Sequence, residues 1–170
     1  AKNSIDARSE LGVSAIQNDP HFWLNPGLLA AVASEIANKL TLLDPSHYVD
    51  YNANLARFER SMKAVDREWH KTTKVCATRV IVTSHWSFAY LAKQYGFAQH
   101  PVLGLNPDAE PTPAQVQSAI DVVRKNKLTT IYSERLLDSK IATTIAAATH
   151  TRVAVLDPIE SPTGGRDYLM

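Results

Sequence analysis

The 170-residue chain has 45% hydrophobic and 21% charged residues, which are ordinary proportions for a globular protein. Its net charge of +1 gives no electrostatic basis for binding nucleic acid or an anionic membrane, and no apolar run has the length of a membrane span. The single cysteine, Cys76, excludes an internal disulfide framework and a cysteine-rich zinc module. Any transition-metal site would therefore be built from the six histidines together with carboxylates.

The first part of the chain combines a stiff loop with a helix. Residues 1–18 show no clean period and are predicted to form a loop with a short strand. Residues 19–26 read Asp-Pro-His-Phe-Trp-Leu-Asn-Pro, in which the two prolines restrict the backbone and Asn25 is expected to cap a helix. Apolar residues at helical spacing predict that helix over residues 27–43. His21 is therefore expected in a rigid loop that leads into a helix.

A second, longer helix is predicted over residues 45–74. Asp44 and Pro45 are expected to end the first helix and start this one. Its apolar stripe has members three and four positions apart, namely Tyr48, Tyr51, Leu55, Phe58, Met62, Val65 and Trp69. Such a helix would be roughly 40–45 Å long, which exceeds the width of a small domain. We expect it to span two lobes or to pack on a partner, and a coiled-coil seam is the alternative.

After residue 74 the pattern changes to strands that alternate with helices. Strands are predicted over residues 79–84, 102–105, 130–133 and 153–156, and helices between His85 and the closing Gly96, over 113–126 and at about 138–149. This alternation predicts an α/β fold with a mostly parallel four-stranded sheet and flanking helices. Residues 161–170 are expected to form a loop and the start of a helix.

Polar residues follow three of the predicted strands. His85 follows the first strand, Glu134 the third and Asp157 the fourth. Because ligands bind outside the carboxyl ends of the strands in open α/β sheets, we expect these residues at one edge of the sheet. His21 is a candidate to face them across the long helix. Two imidazoles and a carboxylate suit Zn²⁺ or another first-row divalent ion.

Each of these residues also has a simpler interpretation. A histidine or an acid at a strand end often only caps a helix or bonds within a turn. Glu134 is open between three roles, which are a metal ligand, an acceptor that orients a histidine, and a cap of the following helix.

Five motifs occur in one order along the chain. They are residues 19–26, the His-x-x-Phe-x-Tyr pattern at 85–90, Glu-Pro-Thr-Pro at 110–113, the strand-end Glu134, and Leu-Asp-Pro at 156–158. In this order they resemble the motifs of the metal-binding solute-binding proteins of zinc and manganese ABC importers. Proteins of that family have two α/β lobes that are joined by one long rigid helix, with the metal in the cleft.

The resemblance implies a division of this chain and a set of metal ligands. Residues 1–44 would be a remnant of the N-terminal lobe, 45–74 the helix between the lobes, and 75–170 the C-terminal α/β lobe. The implied ligands are His21, His85 and Asp157, with Glu134 as an orienting residue or an extra ligand.

The resemblance also implies a truncated chain. The family has a further histidine ligand near the start of its N-terminal lobe, which has no counterpart here. The missing part would leave apolar faces of the 27–43 helix and the long helix exposed. We therefore expect self-association, or exchange of these helices between chains.

The function implied is transport and not catalysis. The chain would capture Zn²⁺, with Mn²⁺ as the alternative, in the periplasm or on a lipid anchor outside the cytoplasmic membrane, and deliver it to an ABC permease. One alternative is an adhesin-like surface protein that contains a metal. A further alternative is a zinc metallohydrolase with Glu134 as the general base.

Overall fold

The computed structural model describes residues 19–161. These residues form two compact units that divide between Val75 and Cys76. The predictions for residues 1–18 and for the end of the chain beyond Ser161 lie outside the described residues. Among the helices between residues 19 and 161, none combines the length and the apolar character that crossing a membrane requires.

The first unit contains two packed helices, of which α1 spans Pro26–Leu43. Asn25 is extended, and its side-chain oxygen accepts hydrogen bonds from the backbone N–H groups of Gly27 at 2.9 Å and Leu28 at 3.2 Å. Pro26 occupies the first helical position, where the missing N–H costs nothing. The predicted cap at Asn25 is therefore confirmed.

Helix α2 spans Tyr48–Lys74 and begins three residues later than predicted. Pro45–His47 instead form a separate 3₁₀ turn, and the Asp44 side chain makes no capping bond to the backbone there. The 27 residues of α2 correspond to a length of about 40 Å. Whether α2 joins two lobes of a longer protein stays a prediction.

The Asp44 carboxylate joins side chains at the junction between α1 and α2. It accepts hydrogen bonds from the Ser46 hydroxyl at 2.5 Å and the Tyr51 hydroxyl at 3.0 Å, and it lies 2.6 Å from Nδ1 of His47. The hydrogen bond from Ser46 contributes most, followed by His47 and Tyr51, to lowering the pKa of Asp44 from 3.8 to about 2.

Asp44 is expected to make folding stability depend on pH in the acid range. Because folding lowers its pKa, its stabilising effect is complete above the unfolded value and is lost as the pH falls from about 4 to about 2. Thermal melts should therefore show Asp44→Asn to be less stable than the wild type at pH 6, with most of that difference gone at pH 2. Asp121→Asn, an exposed carboxylate on another helix, is the control, and an equal loss in both variants would contradict the prediction.

Apolar side chains are exposed where α1 ends and α2 begins. Leu42 is 81% exposed, Leu43 69% and Val49 60%. Exposed apolar side chains that cluster in this way are typical of surfaces that another element covers. The self-association predicted from the sequence would cover them, and it stays a prediction that light scattering can test.

The second unit is a parallel four-stranded sheet with helices between its strands, which confirms the predicted fold class. In chain order its elements are β1 Val80–Thr83, α3 Ala89–Tyr95, β2 Ala98–Pro101, α4 Pro113–Lys125, β3 Thr130–Ser133, α5 Lys140–Thr149 and β4 Arg152–Val155. The strand order is β2-β1-β3-β4, so that β1 and β3 lie inside the sheet.

The second strand lies earlier in the chain than predicted, at Ala98–Pro101 and not at 102–105. Gly96 ends α3 in the left-handed conformation, with φ at 72°, and the chain pairs with β1 almost at once, since the Ala98 N–H donates to the Arg79 carbonyl. Val102 and Leu103 follow the strand and are buried, although they do not belong to it. The sequence-based prediction was wrong because it took this buried apolar pair for the strand itself.

The core of this unit lies between the sheet and helices α4 and α5. Its fully buried members include Val82 on β1, Ile131 on β3, Val123 on α4 and Ile145 on α5. A strand packed against this core cannot shift its register without exposing its apolar face. The core therefore fixes the residue at which each strand ends, and with it the position of the residues that follow the strand.

Candidate metal centre

His85 lies at the carboxyl end of β1, two residues after the strand ends at Thr83. It is only 1% exposed, although it lies in a connecting segment. The Trp86 N–H donates to the Gly104 carbonyl and the Leu103 N–H donates to the Ser84 carbonyl, so the segment is tied to the chain that follows β2. A buried imidazole at this edge of the sheet matches the position predicted for a ligand.

Glu134 follows β3 and contacts His85 twice. Its Oε1 accepts a hydrogen bond of 3.1 Å from the His85 backbone N–H, and its Oε2 lies 2.6 Å from the ring Nδ1. A carboxylate beside Nδ1 favours the tautomer with hydrogen on that atom, which leaves the lone pair on Nε2. The pair therefore fixes which nitrogen of His85 is available to a metal.

Glu160 lies on the other side of the His85 ring. Its Oε1 is 3.5 Å from Nε2 of His85. Two atoms bound to one tetrahedral zinc ion at 2.0–2.1 Å are roughly 3.4 Å apart. The described distance is thus close to the separation that two zinc ligands require. Glu160 was not among the residues singled out from the sequence, and the only signal for it is an acid three positions after Asp157.

Asp157 follows β4 and makes different contacts. Its Oδ2 accepts a hydrogen bond of 3.0 Å from Nε of Arg135, and its Oδ1 accepts one of 2.9 Å from the Ile159 backbone N–H. The second bond holds the turn that carries the chain from β4 to Glu160. The role of Asp157 as a ligand stays a prediction.

His21 belongs to the first unit, where it precedes a short 3₁₀ turn, Phe22–Leu24. Asp19 contacts it twice, since Oδ1 accepts a hydrogen bond of 2.9 Å from the His21 backbone N–H and lies 2.6 Å from the ring Nδ1. Both side chains are buried, and the ring of Trp23 lies edge-on at 5.2 Å. His21 thus has the same support as His85, a buried carboxylate that contacts both its backbone N–H and its Nδ1.

The sequence of the chain matches a family model over residues 2–170, with the description "Zinc-uptake complex component A periplasmic". It is 31% identical over 142 residues to the high-affinity zinc uptake system protein ZnuA of Bacillus subtilis, covering 84% of this chain and 44% of that protein. It is 32% identical over 156 residues to the zinc-binding lipoprotein AdcA of Streptococcus pneumoniae, covering 89% of this chain and 31% of that protein. The chain therefore spans less than half the length of these relatives.

Solved structures show the same similarity. The laminin-binding protein Lbp of Streptococcus pyogenes superposes with a TM-score of 0.89 at 34% identity, covering 97% of this chain and 65% of that one. A Zn(II)-bound variant of AdcAII from Streptococcus pneumoniae superposes with a TM-score of 0.79 at 30% identity, covering 89% and 55%.

Proposed function

We propose that this chain, which belongs to the family of periplasmic zinc-uptake complex component A proteins, takes part in zinc import as the solute-binding component. In this role it captures Zn²⁺ outside the cytoplasmic membrane, in the periplasm or on a lipid anchor, and delivers the ion to the permease of an ABC importer. The zinc ion is the transported cargo, and the proposed role involves no catalytic reaction.

The observation that carries this proposal is the arrangement around His85. Glu134 holds Nδ1, so Nε2 presents its lone pair toward Glu160 at a distance that suits two zinc ligands. A nitrogen and an oxygen donor of this kind bind Zn²⁺ without any redox chemistry. We propose that His21 supplies a second imidazole, because Asp19 supports it in the same way as Glu134 supports His85.

The ion we propose is Zn²⁺ in preference to Mn²⁺. Imidazole nitrogen binds zinc well, whereas manganese sites favour oxygen donors. Two histidines among the ligands therefore favour zinc. Calorimetric titration of metal-stripped protein should give a higher affinity for Zn²⁺ than for Mn²⁺, and the absence of saturable Zn²⁺ binding would overturn the proposed function.

Delivery to the permease has a separate test. Zn²⁺-loaded protein should raise zinc uptake into vesicles that contain the cognate permease and ATP. The same amount of free Zn²⁺, held at the same activity with a chelator buffer, is the control. Equal uptake in the two arms would refute the delivery step and leave the binding step standing.

The identity of the carboxylate ligand gives a further prediction. Glu160 faces Nε2 of His85, whereas Asp157 is bonded to Arg135. Glu160→Gln should therefore weaken Zn²⁺ binding by about tenfold, since a charged ligand is replaced by a neutral one. Asp157→Asn is the matched control in the same loop, and competition with a chromogenic chelator measures both variants. A larger loss in Asp157→Asn would assign the ligand to Asp157 as the sequence predicted.

The two alternative functions receive no support from the described residues. Glu134 would have to activate a water molecule in a hydrolase, yet both of its oxygens are engaged by His85. The laminin-binding names belong to the similar proteins that carry them, and we propose no such activity here.

A further inference from the structure

We infer that Gln99 and Thr83 are positioning residues for His85, which fix its backbone before zinc arrives. This inference rests on the proposed role of His85 as a zinc ligand. Glu134 holds the ring and the N–H of that residue, whereas these two side chains act on its carbonyl group.

The His85 carbonyl oxygen accepts hydrogen bonds from both side chains. The Thr83 hydroxyl donates to it at 2.9 Å and the Gln99 Nε2 donates to it at 3.0 Å. Gln99 Nε2 also donates to the Thr83 hydroxyl oxygen at 2.8 Å, which closes a triangle of three hydrogen bonds. Because a carbonyl can only accept, the Gln99 amide must present its NH₂ group to this triangle.

The strand order explains why these residues meet. β1 lies between β2 and β3, and the parallel register places Gln99 of β2 opposite Ile81 of β1, two residues before Thr83. Gln99 thus reaches past the end of β1 from one side, while Glu134 reaches it from the other side at the end of β3. The N–H of His85 is therefore held by Glu134, directly after β3, and its carbonyl group by Gln99 of β2.

These bonds restrict the direction of the imidazole. Rotation of either peptide group would move the Cα–Cβ bond of His85 and carry Nε2 away from Glu160. A ligand that is already oriented loses less conformational entropy on binding than a mobile one. Loss of residues that orient metal ligands typically reduces metal affinity by about 10–100-fold.

The test removes each hydrogen bond with little change of shape. Thr83→Val and Gln99→Met should each weaken Zn²⁺ binding by about tenfold. The double variant should lose less than the product of the two, because the bonds share one triangle. Thr83→Ser keeps the hydroxyl and should restore binding. Gln117→Met is the matched control, since Gln117 is exposed on α4 and its side chain donates to Asp121.

A second readout needs no metal. In the zinc-free protein, residual dipolar couplings report the orientation of the His85 ring, whose tautomer Glu134 sets, and hydrogen exchange reports the protection of the His85 amide. Both should change in Thr83→Val and Gln99→Met and stay unchanged in Thr83→Ser and Gln117→Met. A lower melting temperature with unchanged ring signals and unchanged affinity would show a purely structural role and overturn the inference.

The two readouts separate this inference from the proposed function. If the wild type binds no zinc, the proposed function fails, while the ring signals still decide whether Gln99 and Thr83 orient His85. If the wild type binds zinc and the variants bind it equally well, only the positioning inference fails.

Discussion

His85→Ala is expected to weaken Zn²⁺ binding by about a hundredfold. A protein zinc site provides about 10–16 kcal/mol in total, so one of the four positions of a tetrahedral site accounts for roughly 3 kcal/mol, which corresponds to about two powers of ten in affinity. His85 is only 1% exposed and its ring contacts the buried Glu134 carboxylate, so the substitution also lowers stability, and a thermal melt of the metal-free variant has to show that it is folded before affinities are compared. Competition against a chelator of known affinity, with metal-stripped protein, measures the change.

The control for this substitution is His70→Ala. His70 lies on α2 with an exposed side chain, so the same chemical change is made away from the proposed ligands. His70→Ala should bind Zn²⁺ with the affinity of the wild type. Equal affinity in His85→Ala and the wild type would remove His85 from the site and with it the main support for the proposed function.

Glu134→Gln is expected to lower zinc affinity by about 10–100-fold while it largely preserves the fold. The glutamine amide has one oxygen, which can still accept from the His85 backbone N–H in place of Oε1. Its NH₂ group then faces Nδ1 of the ring, which becomes an acceptor, and the ring hydrogen moves to Nε2. The nitrogen that should bind zinc would therefore carry a hydrogen that the metal must displace.

Glu134→Ala should differ from Glu134→Gln in stability. Glu134 is 4% exposed, and its removal leaves the buried N–H groups of His85 without an acceptor, which costs about 3 kcal/mol of unfolding free energy. Urea unfolding separates the two variants, and ¹⁵N NMR of the His85 ring identifies the tautomer. A glutamine variant that keeps hydrogen on Nδ1 and binds zinc normally would contradict the orienting role of Glu134.

The strands that the sequence predicted well are those whose own residues favour extended structure. The run of β-branched residues at Val80–Thr83 and the segment Thr130–Ser133 were located almost to the residue. β2 was misplaced because its residues, Ala98–Pro101, have little intrinsic preference for a strand. Their conformation comes from pairing with β1, and such tertiary context is not visible in local periodicity.

The site was predictable to a similar extent. His85 and Glu134 could be paired because the ends of parallel strands meet at one edge of the sheet, a rule that applies without knowledge of side-chain conformations. Glu160 could not be identified, because it lies in a loop whose course depends on the turn that Asp157 stabilises. Asp19 precedes His21 by two residues, but only the folded geometry reveals its contact with Nδ1.

The position of β1 inside the sheet has a consequence for changing the metal preference of the proposed site. The residue that follows an interior strand receives support from both neighbours, whereas the 157–160 segment follows β4, the last strand of the described sheet. A redesign should therefore keep His85 unchanged and vary the segment that carries the carboxylates. Libraries that vary residues 157–160 should yield altered ion selectivity with fewer unfolded products than libraries that vary residues 83–87.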